Sequence, residues 1–162
     1  MEQLLAHLVG DYLLQSDWMA QNKRRSWLPA AVHALVYSVA FLWLARTAPR
    51  PLLAWLVIFG THAVIDRFGL ARYVVWAKNW LGVVDRYAVA QYGALRNQDR
   101  WVAQRNAGPD WVPPNGWHRM PWAACSATGY SPDRPVWLAF WLLIIADNTL
   151  HLLLNYAALR WL

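Results

Sequence analysis

Four stretches of this chain are so apolar that they are predicted to form helices buried in protein or lipid, yet each carries a histidine. Residues 3–20 are interrupted by His7, Asp11, Gln15 and Asp17. Residues 28–45 hold His33 as their one strongly polar group. Residues 51–77 open on an uninterrupted apolar run and then carry His62, Asp66, Arg67 and Arg72. Residues 135–162 contain Asp147, His151 and Asn155. A membrane crossing needs about 20 residues, so the expected fold is all-α. It is a polytopic membrane bundle of about four helices in a single domain spanning 1–162. Pro29, Pro51 and Pro135 stand at or near the starts of the last three helices, where a missing N–H costs little.

Composition agrees with lipid as solvent. The 162 residues are 58% hydrophobic and 15% charged, against about 45–50% and about 25% in ordinary soluble domains. That balance excludes disorder, and a single cysteine, Cys125, excludes an internal disulfide. Residues 1–7 lack a basic n-region and no small-residue cleavage site follows, so a removable leader is not expected.

The formal net charge of +6 would point to nucleic acid on a soluble chain. Here its placement reads as topology. If all four segments cross, one side holds Lys23, Arg24, Arg25, Arg67, Arg72, Lys78, Arg86, Arg96, Arg100, Arg105, Arg119 and Arg134. The other side has only Arg46, Arg50 and Arg160. By the positive-inside rule the basic side is cytoplasmic, which puts region 78–134 in the cytoplasm of a bacterial inner-membrane protein. Trp18, Trp27, Trp76, Trp80, Trp137 and Trp141 flank the inner ends, while Trp43, Trp55 and Trp161 flank the outer ends. Such belts form where an amphipathic ring meets headgroups. Within 78–134, residues 80–106 read as a basic amphipathic helix suited to anionic lipid. Residues 107–135, with six of the nine prolines, read as a Pro/Trp-rich loop.

Three of the four histidines in apolar segments have an aspartate four residues away: His7 with Asp11, His62 with Asp66, and His151 with Asp147. Residues at i and i+4 share a helix face, so each helix offers a nitrogen and a carboxylate toward a common point. Each charged group at bilayer depth costs roughly 2.5–3.5 kcal/mol, which argues for function. Imidazole and carboxylate without thiolate suit a divalent metal: Zn, Mn, Fe or Mg. The expected ligands are Asp11, His62, Asp66, Asp147 and His151, with His7 or His33 as a further ligand or catalytic general base. Two alternatives stay open on the residues alone. The pairs can hydrogen-bond across helices and fix register, or they can relay protons or ions. Gln15 and Asn155 read as helix–helix glue, His118 as a surface or packing residue, and Arg67 as a snorkelling side chain.

These residues sit in recurring motifs. "AHLVGDYLLQSDWMAQNK", "HALVYS", "THAVIDRFGLARY" and "ADNTLHLLLN" resemble the bacterial and phage membrane proteins of the domain of unknown function 3307 family. "TGYSPDRPVWLAFWLLIIADNTLH" is similar to phage-encoded members in particular. Asn148 stands where many bacterial members carry Gln. The resemblance implies the membrane fold and brings no activity with it. The sharpest expectation is therefore a metal-dependent hydrolase of a lipid or lipid-linked phosphate or ester. Its rivals are a non-enzymatic phage accessory protein of the envelope and an ion or proton transporter. The expected partners are the lipid bilayer and a lipid-linked substrate, not nucleic acid; self-association is compatible with the pattern.

Overall fold

The computed structural model describes residues 1–81, 122–130 and 134–162. All regular structure among them is helical. Most of the amphipathic stretch 80–106 and of the loop 107–135, His118 included, lies outside the described residues.

The first apolar segment is not one helix. It comprises α1 (Glu2–Leu8), a π-turn (Val9–Leu13) closed by Leu14 N–H to the Val9 carbonyl at 3.0 Å, and α2 (Asp17–Asn22). Ser16 breaks the run by capping α2: its backbone is extended and its hydroxyl accepts from Met19 N–H. A serine that satisfies an orphan amide competes with continuing the preceding helix. The second segment forms α3 (Trp27–Val39) and α4 (Leu42–Ala45). Near the end of α3, Ser38 turns its hydroxyl back to the Leu35 carbonyl, while its own carbonyl accepts from the Trp55 indole.

The third segment splits as well. α5 (Pro51–Phe68) starts with proline in its first turn and ends on Gly69 in the left-handed region, φ 58°. Gly69 N–H bonds the Asp66 carbonyl and Leu70 N–H bonds that of Ile65, a Schellman closure that needs glycine at that position. α6 (Ala71–Leu81) then begins afresh, and α7 (Val136–Trp161) is continuous, about 39 Å long at 1.5 Å per residue. Thus α5 and α7 are long and apolar enough to cross a membrane, while α3 is apolar but shorter.

The described chain divides into two compact units, residues Met1–Ala71 with Ile144–Leu162, and residues Arg72–Leu143. In the first, α3 packs along α5, the π-turn and α2 lie against α3, and α4 contacts α5. Its apolar core is Tyr37, Phe41, Ile58 and Ala158. Alanines 30, 34, 54 and 158 are fully buried or nearly so, and small residues of this kind let helix backbones approach closely. Beside that apolar core the unit buries polar side chains and exposes large apolar ones. His7, His33, Ser38, His62, Asp66, His151 and Asn155 are buried, whereas Leu35, Trp43, Leu52, Leu56, Ile145, Leu153 and Trp161 are exposed. Buried polar groups of this kind are the informative departure from an ordinary soluble core.

In the second unit, Tyr73 stacks on Trp122 at 4.4 Å between ring centres, and Lys78 and Arg134 both lie over the Tyr130 ring. Ser126 N–H and Oγ both bond the Tyr130 carbonyl, closing a tight turn.

One close approach carries a prediction. A Cβ at Gly10 would meet Tyr37 Cδ2 at 2.5 Å. Gly10→Ala is therefore expected to displace the Tyr37 ring and destabilise the fold by about 1–3 kcal/mol. Thermal unfolding in detergent micelles checks this, and an unchanged midpoint refutes it.

Candidate metal centre

All seven His and Asp residues singled out above belong to the first unit, and they converge. The π-turn aims Asp11 at α3 and α5; such turns widen a helix locally and recur at functional sites. One turn apart on α5, His62 and Asp66 face the same way as His33 on α3, and one turn apart on α7 stand Asp147 and His151.

Four atoms form the tightest group: Asp11 Oδ1, His33 Nε2, His62 Nε2 and Asp66 Oδ2. His33 Nε2 lies 3.0 Å from His62 Nε2, 3.1 Å from Asp66 Oδ2 and 3.2 Å from Asp11 Oδ1. His62 Nε2 lies 3.3 Å from Asp66 Oδ2 and 3.4 Å from Asp11 Oδ1. A tetrahedral ion with bonds of about 2.0–2.1 Å has ligand–ligand edges of about 3.3 Å. Five of the six edges among these atoms are 3.0–3.4 Å, and the donor types suit such an ion.

A second group, Asp66, Asp147 and His151, adjoins the first through Asp66. His151 Nε2 stands 3.5 Å from Asp66 Oδ1 and 3.6 Å from Asp147 Oδ2. The two groups also meet at their histidines, since His62 Nδ1 and His151 Nδ1 are 3.2 Å apart.

Burial sharpens the chemistry. His33 and His62 are fully buried and His151 is 1% exposed, while Asp147 is 31% exposed and marks the open side. Asp11 Oδ1 and His151 Nε2 are buried without a hydrogen-bond partner. Unsatisfied buried polar atoms cost about 1–3 kcal/mol each, and a cation bound among the four atoms would give Asp11 Oδ1 a partner. Lys23 brings an ammonium to the cluster, its Nζ 2.8 Å from Asp66 Oδ2.

His7 lies apart from the four-atom group. Its Nδ1 is 3.4 Å from Asp11 Oδ2 and 2.9 Å from the Tyr37 hydroxyl, and that hydroxyl accepts from Asn155 Nδ2 at 2.6 Å. The Tyr37 ring stacks on His62, with centres 3.6 Å apart and planes 11° from parallel. Arg67 turns away from the cluster. Its guanidinium donates to the Arg24 and Arg25 carbonyls and lies over Trp27. Cys125 belongs to the second unit, where burial pushes its thiol pKa up, the opposite of what a nucleophilic thiolate needs.

Lys23 and Tyr37 did not stand out in the sequence. Lys23 belongs to a Lys-Arg-Arg run that reads as a topology signal, but its ammonium also donates to Gln15 Oε1 at 2.7 Å inside the cluster. Tyr37 follows His33 by four residues, the same spacing as the His and Asp pairs.

A family model described as protein of unknown function (DUF3307) matches residues 1–85. No curated protein and no solved structure matches the chain.

Proposed function

The chain belongs to the DUF3307 family, and from that premise we propose a multi-pass inner-membrane protein that binds one or more divalent metal ions and hydrolyses a lipid-borne phosphate or ester. The observation that carries this is the set of five separations of 3.0–3.4 Å among Asp11, His33, His62 and Asp66. A divalent ion held there supplies Lewis acidity and lowers the pKa of a water toward neutrality.

This chain's own residues provide the rest. The ionised carboxylates and neutral imidazoles hold the charge of the ion, and the buried helices exclude bulk water. Lys23, 20% exposed at its side chain, has the charge to receive an anionic substrate group once the ion takes over Asp66. Membrane placement is supported by the apolar exterior of α5 and α7 and by their length. In this reading α3 and α4 together make a kinked crossing, and the broken α1–α2 segment forms the fourth element of the bundle. Non-helical backbone at membrane depth is tolerated where protein buries it, as the π-turn and the break at Ser16 require. Region 78–134 faces the cytoplasm with the twelve basic residues of that side.

A proton or ion relay is the second reading, favoured by the direct Lys23–Asp66 pair. One series of measurements separates the two. Detergent-purified wild type is expected to retain zinc or manganese and to turn over a phospholipid phosphoester, with turnover lost in Asp11→Asn. A wild type free of metal refutes the site. Ion or proton flux in liposomes without turnover favours the relay.

A further inference from the structure

The two ligand groups are joined by a hydrogen bond that allows only one of them to work at a time. We propose that the cluster holds a single metal ion on Asp11, His33, His62 and Asp66. His151, backed by Asp147, is then a positioning residue that fixes the tautomer of His62. This rests on the metal reading above and specifies its stoichiometry and ligand set.

The reasoning starts from proton counting. A neutral imidazole carries one proton on one of its two nitrogens, and the other nitrogen holds the lone pair that can ligate. His62 and His151 meet Nδ1 to Nδ1 at 3.2 Å, so one of the two Nδ1 atoms donates and the other accepts. If His62 donates, its Nε2 is bare and faces Asp11, His33 and Asp66. His151 then carries its proton on Nε2, where the carboxylates of Asp66 and Asp147 wait at 3.5 and 3.6 Å. If His151 donates instead, its own Nε2 is bare and faces only carboxylates, while His62 turns an N–H toward the four-atom group. Neutral rings therefore cannot both ligate.

The four-atom group wins on ligand number and on its surroundings. It offers two imidazoles and two carboxylates at tetrahedral spacing, whereas the second group offers one imidazole and two carboxylates, one of them shared. In the winning tautomer the His62 Nδ1 proton has an acceptor in His151 Nδ1, and the His151 Nε2 proton faces the carboxylates of Asp66 and Asp147. A ligating histidine characteristically donates its other N–H to such a partner. Tyr37, stacked flat on His62, holds the ring plane that this line requires.

Full-length protein in detergent is loaded with zinc, and two quantities are measured: ions per chain, and imidazoles per ion by X-ray absorption. Wild type is expected to give one ion with two imidazoles. In His151→Gln the amide oxygen still accepts from His62 Nδ1, so zinc affinity is expected to stay within a few-fold of wild type. In His151→Phe the acceptor is gone, and affinity is expected to fall about 10–100-fold, still with two imidazoles at saturation. Nitrogen-15 chemical shifts of the histidines add a readout that packing alone does not move: His62 is protonated at Nδ1 in wild type and in His151→Gln. Two ions per chain, three imidazoles per ion, or loss of an imidazole in His151→Gln overturns the assignment while leaving a metal site standing. A wild type that binds no zinc overturns the metal reading itself.

Discussion

Asp66→Ala is expected to strip the purified protein of metal, lowering zinc affinity by roughly 10²–10³-fold. The magnitude follows if a four-ligand site divides a binding free energy of about 10–16 kcal/mol evenly, or about 2.5–4 kcal/mol per ligand. Asp66 is the position of choice because it is common to both ligand groups. Its Oδ2 closes the four-atom set and its Oδ1 faces His151, so no rearrangement onto the second group rescues the loss. Removing it also releases Lys23 from its 2.8 Å contact, leaving an unpaired ammonium 3.4 Å from His33 Nε2 and raising the electrostatic cost of any cation. Competition titration with a zinc chelator reads the effect. Equal zinc affinity in Asp66→Ala and wild type would show that these residues serve helix assembly alone.

The second large effect is expected at Tyr37. Its ring is fully buried in the core with Phe41, Ile58 and Ala158, it stacks on His62, and its hydroxyl joins His7 to Asn155. Tyr37→Ala removes all three at once and is expected to destabilise the fold by about 3–5 kcal/mol, as for other large-to-small core changes. Tyr37→Phe keeps the ring and deletes only the hydroxyl, leaving Asn155 and His7 short of a partner, at about 1–3 kcal/mol. Thermal unfolding in micelles orders the two. A Tyr37→Phe variant as damaged as Tyr37→Ala would mean that the buried polar network, not the ring, holds these helices.

Under the membrane placement proposed above, lipid supplies no hydrophobic force between helices, so buried alanines and this polar network carry the packing. Ala30 and Ala34 on α3 and Ala54 on α5 allow close approach, and Trp55 ties α5 to the Ser38 carbonyl at 3.0 Å. The same close approach leaves no room for a Cβ at Gly10.

The order of apolar segments, the i,i+4 pairing of His and Asp, and the membership of DUF3307 were all legible in the residues. They are local properties, written in spacing and side-chain type. Gly69 as the end of α5 was legible too, because only a residue that tolerates positive φ closes a helix this way, but it was read through as part of a longer helix. The break at Ser16 and the π-turn at Asp11 were not legible, since they depend on Tyr37 packing against Gly10 and on which backbone amides find partners. Lys23 entered the cluster only because α2 folds back beside α3.

By itself, then, the sequence determined that this is an all-helical chain with His and Asp stationed in apolar segments, because periodicity and composition act within one helix. Which of those residues share a site was decided by tertiary structure alone. Separations of 3.0–3.4 Å between side chains up to 51 residues apart in the chain arise from how three elements pack, and no one-helix pattern encodes that.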